Sequence, residues 1–489
     1  MKLDDLLKRV AHTGVRGTQD RTVAGVVCDS RQVRQDFLFV AIAGESQDGA
    51  AFVEDAIRRG AGIIVSQHGR FALHSATHIQ VENARLALAE AADAFYGHPS
   101  GRMLVAGVTG TNGKTTTAFM IRDMFEAAGK KPGLIGTVQY EIGGRIIPAT
   151  RTTPESNELQ SLLDQMLKAG CGSVAMEVSS HALDQDRVAG VDFDVAVFTN
   201  LTRDHLDYHK TMDSYFAAKQ KLFQRLGRGK RGTAVINGDD PKGEELEKEA
   251  AKHADVITFG LSDNVAVRAE KVVFDERGSS FRINSPWGIC HARVNLLGRF
   301  NVMNSLAAYS TGRALGLNEI TVLKALEDCQ AVPGRLEEIP ARHGFRVFVD
   351  YAHTDDALEN VLETIRPFTR GQLILVFGCG GNRDQSKRPL MGAVASRMAD
   401  ITVVTSDNPR REDPRVIIDQ IRSGFAGGGR HEVVEDRAEA IAFALSLAKE
   451  GDVVLIAGKG HESRQELANT IIPFDDRQVV RTLLKRDEG

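Results

Sequence analysis

The sequence predicts an α/β protein with mainly parallel sheets. Short apolar runs of strand length, bounded by glycine or polar residues, recur along the whole chain. Most of them are separated by amphipathic segments of helical length, and this alternation is typical of βαβ units. At 489 residues the chain exceeds what one hydrophobic core usually organises. With roughly 150 residues per domain, we expect three domains.

The most apolar runs are the expected strands. They are FLFVAI and GIIVS early in the chain, MLVAGV, SVAMEV, DVAVFTN and TAVIN in the middle, and LILVFG, ITVVT and VVLIA late. Between residues 265 and 296 polar and apolar residues alternate around DERGSS, which predicts an antiparallel insertion. Breaks containing Gly and Pro follow predicted helices near residue 100 and at AVPGR. We therefore expect domains at 1–100, 101–334 and 335–489.

Composition excludes several classes of protein. The 61 basic and 65 acidic residues are balanced, so neither nucleic acid nor a membrane surface is an expected partner. Five cysteines are widely separated without a CxxC pair, which argues against a disulfide framework or a zinc site. The first residues lack the apolar core of a signal peptide, and no run approaches the ~18 apolar residues of a spanning helix. A cytoplasmic protein is expected.

A glycine-rich loop follows the predicted strand MLVAGV and precedes a predicted helix. In GTNGKTTT, Gly110 and Gly113 let backbone N–H groups approach phosphate oxygens, Lys114 supplies a full positive charge, and the Thr115 hydroxyl is suited to Mg²⁺. The usual phosphate-loop pattern would have glycine where Val108 stands. The loop is therefore a variant nucleotide-binding loop.

Three further residues each have two interpretations when only their local sequence is considered. Glu177 ends the strand SVAMEV, where a carboxylate is either a Mg²⁺ ligand or an ion-pair partner. His205 lies in a polar loop, where histidine is more often exposed than bound to metal. Lys219 lies on the apolar face of the helix DSYFAAKQKLF, so its amine either extends to solvent or belongs to a buried site.

The late loop VVTSDNPRREDPR combines both charges with two prolines. Read alone, it is a charged surface turn whose arginines pair with Glu412 and Asp413, or it is a binding loop for a charged ligand. Arg410 offers a planar bidentate donor for a carboxylate, and Asp407 and Asn408 offer acceptors for an ammonium group.

These motifs in this order resemble the Mur ligase family, whose ATP-dependent ligases build the peptide of bacterial cell-wall precursors. CDSRQVRQDFLFVAIAG resembles the smaller N-terminal domain, which binds the UDP part of the substrate. GTNGKTTT, MEVSSHALDQDRV, TNLTRDHLDYH and YFAAKQKLF resemble the central P-loop ATPase, and GRFNVMN, VPGR and VDYAHTDDAL resemble its nucleotide and hinge region. GCGGNRDQSKRPLM, TSDNPRREDP and AGKGHE resemble the Rossmann-like C-terminal domain of the branch that adds meso-diaminopimelate.

The resemblance implies an ATP-dependent amide ligase of peptidoglycan precursor synthesis. A carboxylate of UDP-N-acetylmuramoyl-L-alanyl-D-glutamate would attack the γ-phosphoryl group of ATP, and an amine of meso-diaminopimelate would displace phosphate from the acyl phosphate. The implied cofactors are two Mg²⁺ ions and a CO₂-derived carbamate on Lys219. These small molecules are the expected partners, and the protein is expected to be a monomer.

The resemblance also implies residue sets, one for each ligand. For ATP these are Gly110, Thr111, Asn112, Gly113, Lys114, Thr115, Thr116, Asn301, Asn304, Arg335 and Asp350. For the UDP-muramoyl dipeptide they are Ser30, Thr152, Thr153, Ser179, Gln185 and Arg187, and for diaminopimelate they are Arg383, Asp407, Asn408, Arg410, Gly458 and Glu462. The implied catalytic residues are Lys114, Glu177, His205 and Lys219, and the implied metal ligands are Thr115, Glu177, His205 and carbamylated Lys219.

Three other functions are weighed against this one. A lysine-adding ligase of the same branch would differ in the acceptor loop, which is VVTSDNPRREDPR (residues 403–415). With lysine as the acceptor, Arg410 would be left buried with an unmet charge. A folylpolyglutamate synthase would have its phosphate loop near the start of the chain, whereas about a hundred residues precede it here. A P-loop switch or scaffold would bind nucleotide without amino-acid-dependent phosphate release, and it would not need three loops converging on one site.

Overall fold

The computed structural model describes residues 1–44, 47–69, 71–227, 229–341, 344–425 and 429–486. Each third of the chain contributes its own sheet, and helices cover the sheets, so the α/β prediction is confirmed. Every apolar run predicted as a strand forms one. In the described part of the chain, no helix is both long and apolar enough to span a membrane.

The N-terminal sheet has the order β1-β5-β4-β3-β2, and only β1 runs antiparallel to its neighbour. Leu38, Val40 and Ile63 are fully buried in its core. The elements are α1 (Leu3–Leu7), β1 (Gly14–Arg16), β2 (Gly25–Val27), β3 (Phe37–Ala41), α2 (Val53–Arg58), β4 (Ala61–Ser66), β5 (Thr77–Gln80) and α3 (Ala84–Tyr96). Short 3₁₀ helices cover Ser30–Gln32, Gly49–Phe52 and Pro99–Arg102.

The central sheet has eleven strands in the order β16-β15-β14-β13-β12-β11-β6-β10-β7-β8-β9. Its strands are β6 (Leu104–Thr109), β7 (Pro132–Ile135), β8 (Gln139–Ile142), β9 (Arg145–Pro148), β10 (Ser173–Glu177), β11 (Val195–Phe198), β12 (Thr233–Asn237), β13 (Asp255–Gly260), β14 (Val267–Asp275), β15 (Gly278–Ser285) and β16 (Gly288–Val294). Its helices are α4 (Lys114–Ala127), α5 (Ser156–Lys168), α6 (Ser180–Asp184), α7 (Leu206–His209), α8 (Met212–Phe223), α9 (Gly243–Ala250), α10 (Arg299–Ala314) and α11 (Glu319–Asp328).

Strands β14 to β7 of this sheet are parallel, and antiparallel hairpins extend both edges. The insertion predicted at 265–296 is confirmed by the antiparallel strands β14, β15 and β16. The hairpin of β8 and β9 at the other edge was not predicted from sequence. Since β6, β10 and β11 are neighbours, the loops that follow them meet at one edge of the sheet.

The C-terminal sheet has the order β17-β18-β22-β19-β20-β21 and is parallel except for β17. Its elements are β17 (Glu337–Ile339), β18 (Arg346–Asp350), α12 (Asp355–Ile365), β19 (Leu373–Phe377), α13 (Lys387–Met398), β20 (Ile401–Val404), α14 (Pro414–Arg422), β21 (His431–Val433), α15 (Arg437–Leu447) and β22 (Val453–Ala457). A hairpin of β23 (Arg464–Leu467) and β24 (Thr470–Pro473) precedes α16 (Asp476–Arg486). A 3₁₀ turn covers Arg366–Phe368.

Candidate functional site

The phosphate loop joins β6 to α4, as the sequence predicts. Gly110 and Gly113 have φ angles of 150° and 84°, in the region that side chains disfavour. A Cβ atom at Gly113 would overlap Oδ1 of Asn304, and one at Gly110 would overlap Oγ1 of Thr199. The two glycines are therefore required by both backbone conformation and space, and helix α4 begins at Lys114 directly behind them.

Two lysine amines converge on this loop. Nζ of Lys114 donates to the carbonyl oxygens of Gly110 (2.9 Å) and Thr111 (2.7 Å). Nζ of Lys219, from helix α8, donates to the same carbonyl of Gly110 at 2.8 Å. Burial lowers the pKa of both amines, and the charge of Lys114 lowers that of Lys219 further.

Lys219 is 1% exposed, so its amine does not extend to solvent. It lies 4.3 Å from the ring centre of Tyr215, and Phe216 and Leu222 are buried on the same helix. Burial and then Lys114 hold its pKa well below the usual value for lysine. The site therefore disfavours the charged form of this amine.

Glu177 ends β10 beside the start of α4. Its Oε2 accepts hydrogen bonds from the hydroxyls of Thr115 (2.9 Å) and Thr137 (3.0 Å), and its Oε1 accepts one from the backbone N–H of Thr137 (2.7 Å). The ion pair considered from sequence is not present among the described residues: all these donors are neutral. The paired oxygens of Thr115 and Glu177 are hard ligands of the type that Mg²⁺ prefers.

His205 precedes α7 in a left-handed conformation with a φ of 55°. Its Nε2 lies 3.4 Å from Asp204, and its ring packs against those of His181 and Tyr215. Burial lowers the pKa of His205 to about 3. The ring is therefore neutral, as a metal ligand must be. No group of three or more His, Cys, Asp or Glu side chains within the described ranges is arranged to hold a metal ion.

A cavity of about 590 Å³ lies between the central and C-terminal domains. Eight of the residues predicted to bind ATP line it: Asn112, Gly113, Thr115, Thr116, Asn301, Asn304, Arg335 and Asp350. Phe274, Leu296 and Phe300 contribute apolar walls. The other three predicted residues, Gly110, Thr111 and Lys114, belong to the same phosphate loop.

Arg335 connects the two domains at this cavity, and Asp350 holds the chain directly after it. Nη2 of Arg335 donates to the hydroxyl of Thr115 at 3.0 Å, and its guanidinium lies 4.5 Å from the ring centre of Tyr351. The Asp350 carboxylate accepts from the backbone N–H groups of Leu336 and Ala352, while burial raises its pKa. Asp350 thus holds Leu336, directly after Arg335, at the end of β18.

Most residues predicted for the muramoyl dipeptide are linked by hydrogen bonds. Thr153 donates to the Glu177 carbonyl (2.9 Å) and accepts from the backbone of Ser179 (3.0 Å). Arg187 donates to the carbonyl of Thr153 (3.0 Å) and to Oε1 of Gln185 (2.7 Å). Thr152 contacts the hydroxyl of Thr137 at 3.0 Å.

Ser30 is the exception in this set, because it lies in the N-terminal domain at the start of a 3₁₀ helix. Among the described residues, no hydrogen bond or ion pair joins it to the others. A ligand that reached both groups would have to extend across the two domains.

The first part of the acceptor loop, from Thr405 to Pro409, is buried, whereas Arg411, Asp413 and Arg415 are exposed. Asp407 and Asn408 are 8% and 4% exposed. Nδ2 of Asn408 donates to Glu462 at 2.8 Å, and Nζ of Lys459 donates to both Asn408 (3.0 Å) and Glu462 (2.8 Å). A Cβ atom at Gly458 would lie 2.8 Å from Asp407, so the two strand ends pack closely.

Arg410 has an ion-pair partner that was not predicted from the sequence. Its Nε donates to Glu466 at 2.9 Å, and its Nη1 donates to the carbonyl of Gly381 at 2.8 Å. Glu412 pairs with the buried Arg388 instead. The expectation that Arg410 would be left with an unmet charge is therefore wrong, because Glu466 supplies a carboxylate. Arg383 is exposed on the neighbouring loop.

Several functional residues were missed from sequence. Asp356 accepts from Asn112 (2.9 Å) and Thr202 (3.2 Å) and so links α12 to the phosphate loop. His353 lies 4.0 Å from Asp204, and burial lowers its pKa to about 4. Both belong to VDYAHTDDAL, a segment whose density of polar residues after a strand was the available signal. Lys459 lies inside the motif AGKGHE, which could have indicated it, whereas nothing in the sequence around Glu466 indicated a functional role.

Comparison with known families agrees with this geometry. The model of the Mur ligase family catalytic domain matches residues 22–96, that of the Mur ligase middle domain matches residues 108–312, and that of the Mur ligase glutamate ligase domain matches residues 334–460. The chain belongs to the Mur ligase family. The three matches follow the order of the three sheets of this Mur ligase.

Two curated relatives of this Mur ligase are similar over their whole length. The UDP-N-acetylmuramoyl-L-alanyl-D-glutamate–2,6-diaminopimelate ligase of Geobacillus kaustophilus is 46% identical over 490 residues, with 99% of each chain covered. The ligase of the same name from Geobacter metallireducens is 45% identical over 500 residues, with 98% of each chain covered. A solved structure of a ligase of this name aligns with a TM-score of 0.72 and 31% identity, covering 100% of this chain and 99% of the other.

Proposed function

We propose that this Mur ligase joins meso-diaminopimelate to the D-glutamate of UDP-N-acetylmuramoyl-L-alanyl-D-glutamate at the expense of ATP. One observation carries the proposal: the cavity between the central and C-terminal domains is lined by the phosphate loop and by Tyr351, whose ring packs on that of His461, next to Glu462 and its hydrogen-bond partner Asn408. The two curated relatives, similar over the full length, bear the name of this activity.

ATP would occupy the interdomain cavity. The phosphate loop from Gly110 to Thr116 and Lys114 would contact the phosphates, and Asn301, Asn304, Arg335 and Asp350 would contact the rest of the nucleotide from helix α10 and the domain junction. Lys114 donates to two backbone carbonyls. Phosphate oxygens would replace these acceptors and raise the pKa of the amine, so that it carries its full charge in the complex.

Mg²⁺ fits the oxygen ligands beside the phosphate loop. Thr115 and Glu177 offer a hydroxyl and a carboxylate that already lie 2.9 Å apart, and Mg²⁺ is usually bound by one or two carboxylates together with substrate phosphates. His205, with a neutral ring, and Lys219, if carbamylated, would complete the set on the substrate side. When bound, the ions neutralise the negative charge that develops during phosphoryl transfer.

A carbamate fits Lys219 for a physical reason. A protonated amine there would be buried beside Lys114 with a single carbonyl acceptor, which is costly. A neutral amine would attack the carbon of CO₂, so that a C–N bond forms as one carbon–oxygen π bond breaks, and one amine proton would be released. The product is an anion that Lys114 stabilises rather than repels.

The reaction has two steps that these residues serve. A carboxylate oxygen of the D-glutamate forms a bond to the γ-phosphorus and ADP departs, which leaves an acyl phosphate. The deprotonated amine of diaminopimelate then forms a bond to the acyl carbon, and inorganic phosphate departs. Arg187, Ser179, Thr152, Thr153, Gln185 and Ser30 would hold the UDP-muramoyl dipeptide. Lys114 stabilises the charge on the transferred phosphoryl group in both steps.

The acceptor loop would hold the distal end of diaminopimelate, which carries both an amino group and a carboxylate. Arg410 and Arg383 would bind the carboxylate, and Glu462, Asp407 and Asn408 would accept from the ammonium group. Gly458 keeps the neighbouring strand end close enough for the loops to meet. A lysine acceptor lacks this carboxylate, so a lysine-adding ligase is the less favoured candidate.

The experiment is release of inorganic phosphate from ATP in the presence of the UDP-muramoyl dipeptide and single amino acids. We expect phosphate release that depends on diaminopimelate and is far slower with L-lysine. Release without any amino acid would indicate an ATPase switch, and equal use of L-lysine would contradict the assignment of the acceptor.

We also propose the setting in which the enzyme works. We place the domain boundaries near residues 100 and 334, where a 3₁₀ helix and a glycine with a φ of 67° separate the sheets. The protein would act as a monomer in the cytoplasm, where all five cysteines can stay reduced and unpaired, as they are here.

A further inference from the structure

The guanidinium of Arg410 is only partly used by the protein. Nε donates to Oε2 of Glu466 and Nη1 donates to the carbonyl of Gly381, while Nη2 donates to no atom of the described residues. The side chains of Arg410 and Glu466 are 25% and 30% exposed, so the pair is only partly shielded from solvent. Two of the three guanidinium nitrogens are therefore held by the protein, and Nη2 is free to donate to a ligand.

Glu466 is fixed in place by the acceptor loop itself. Its backbone carbonyl accepts from the N–H of Arg410 (3.0 Å), and its own N–H donates to Oδ1 of Asn408 (3.0 Å). The neighbouring Gln465 donates to the carbonyl of Asp407 at 2.7 Å. Strand β23 is thus attached to the loop on both sides of the ion pair, which holds the Glu466 backbone beside Arg410.

We propose that Glu466 is a specificity-determining residue, because it supplies Arg410 with a carboxylate when the acceptor amino acid does not. This inference rests on the proposed function and deepens it. Glu466 lies beyond the AGKGHE motif and in none of the segments that carry the family resemblance. Its role follows from its contacts with Arg410 and with the acceptor loop.

The charge of Glu466 has opposite effects on two acceptors. A diaminopimelate carboxylate that accepts from Nη2 of Arg410 comes close to the Glu466 carboxylate, and the two negative charges repel each other. A lysine-like acceptor brings only an ammonium group, which the Glu466 charge attracts while Arg410 stays paired. Glu466 therefore weakens binding of the acceptor with a distal carboxylate and strengthens binding of the acceptor without one.

The variant Glu466→Gln tests this directly. The amide oxygen can still accept from Nε of Arg410, so the position of Arg410 is kept while the negative charge is removed. We expect the KM for diaminopimelate to fall by about fivefold, the size of effect that a partly exposed ion pair can produce. We expect kcat to stay within about twofold, because the pair is remote from the reacting phosphorus and acyl carbon. The KM for L-lysine should rise.

The matched control is Glu435→Gln, which removes the same charge from an exposed pair with Arg415 in the same domain. We expect it to leave both KM values unchanged. A second variant, Glu466→Ala, removes the acceptor for Nε as well; because Arg410 is then no longer held by Glu466, its kcat/KM for diaminopimelate should be lower than that of Glu466→Gln. Thermal unfolding of all three variants establishes that they are folded.

The outcomes separate this inference from the proposed function. An active wild type whose KM for diaminopimelate is unchanged or raised in Glu466→Gln overturns the inference and leaves the proposed function intact. A lower kcat and a higher KM, by the same factors for both acceptors, would mean that Glu466 is purely structural. That result also overturns the inference. A wild type without phosphate release in the presence of diaminopimelate contradicts the proposed function, and the inference with it.

Discussion

Lys219 is the residue whose environment is hardest to explain without a reaction. Its amine is buried, shares the Gly110 carbonyl with Lys114, and has a pKa well below the usual value because of burial and the nearby positive charge. A structural role would be served better by an apolar residue. The position therefore indicates a chemical role, which is the carbamate that we propose.

The first prediction concerns that carbamate. We expect Lys219→Ala to lose nearly all ligase activity and to regain part of it when acetate or propionate fills the vacated space, because a short carboxylate restores the anion. The measurement is diaminopimelate-dependent phosphate release with and without the acid. A fully active Lys219→Ala variant, or one that no carboxylic acid rescues, would contradict the role. The same assay on Lys221→Ala, a partly exposed lysine of the same helix, is the control.

The second prediction concerns pH and stability in carbonate-free buffer without Mg²⁺. The pKa of Lys219 is lower in the folded than in the unfolded protein, so the unfolded state binds more protons as the pH falls below the usual lysine pKa. Wild type should therefore lose stability relative to Lys219→Met as the pH falls below the usual lysine pKa, with a slope of at most about 1.4 kcal/mol per pH unit. Denaturant unfolding at several pH values measures this, and parallel curves for both proteins would refute it.

At the residue scale, the sequence predicted which residues belong to the site but not which of them contact each other. The buried face of α8 and the strand end at Glu177 could be predicted from the sequence, because apolar spacing and strand length are local properties. The Arg410–Glu466 pair was not, since its partners are 56 residues apart and meet only through the packing of a hairpin on a loop. Thus the residues of the acceptor loop were predicted, and the charge balance within it was not.

At the scale of elements, the phosphate loop depends on the backbone of two glycines. Their φ angles and the atoms of Asn304 and Thr199 leave no room for a side chain. The strand before the loop and the helix after it were predicted from the sequence. The precise contact with Asn304 was not, because it comes from helix α10, nearly two hundred residues later.

The third prediction tests this loop. We expect Gly113→Ala to lose ATP binding, because the new Cβ atom would displace Asn304 and strain the loop at a φ of 84°. Gly97→Ala is the control, since Gly97 also has a positive φ of 74° but a Cβ atom there would meet no described atom within 4 Å. It should cost only about 1–2 kcal/mol of stability. Titration with ATP measures binding, and unchanged affinity in Gly113→Ala would exclude this loop as the nucleotide site.

At the scale of the whole molecule, the nucleotide cavity exists only because two domains meet. The sequence predicted a hinge at AVPGR but not the arrangement across it, since the contacts join residues that are far apart in the chain. Asp356 bonds to Asn112 and Thr202, and Arg203 lies 3.3 Å from Asp384. These contacts hold the C-terminal domain against the phosphate loop.

The fourth prediction concerns this arrangement. We expect Asp356→Ala to raise the KM for ATP by about tenfold, because it removes two hydrogen bonds to a charged acceptor across the domain junction. Asp355→Ala, one position earlier on α12, is the control, as its side chain makes no hydrogen bond or ion pair with the described residues and should leave the KM unchanged. Steady-state kinetics with ATP as the varied substrate gives both values. Equal values for the two variants would mean that the junction does not contribute to nucleotide binding.

The most direct test of the central claim follows the atoms of the proposed reaction. The D-glutamate side-chain carboxylate of the UDP-muramoyl dipeptide is labelled with heavy oxygen and incubated with the enzyme, ATP and meso-diaminopimelate, and the masses of the released phosphate and of the peptide product are measured. We predict one heavy oxygen atom in each phosphate and a product heavier by one diaminopimelate residue. Phosphate without the label, or a product that lacks diaminopimelate, would contradict the proposed reaction.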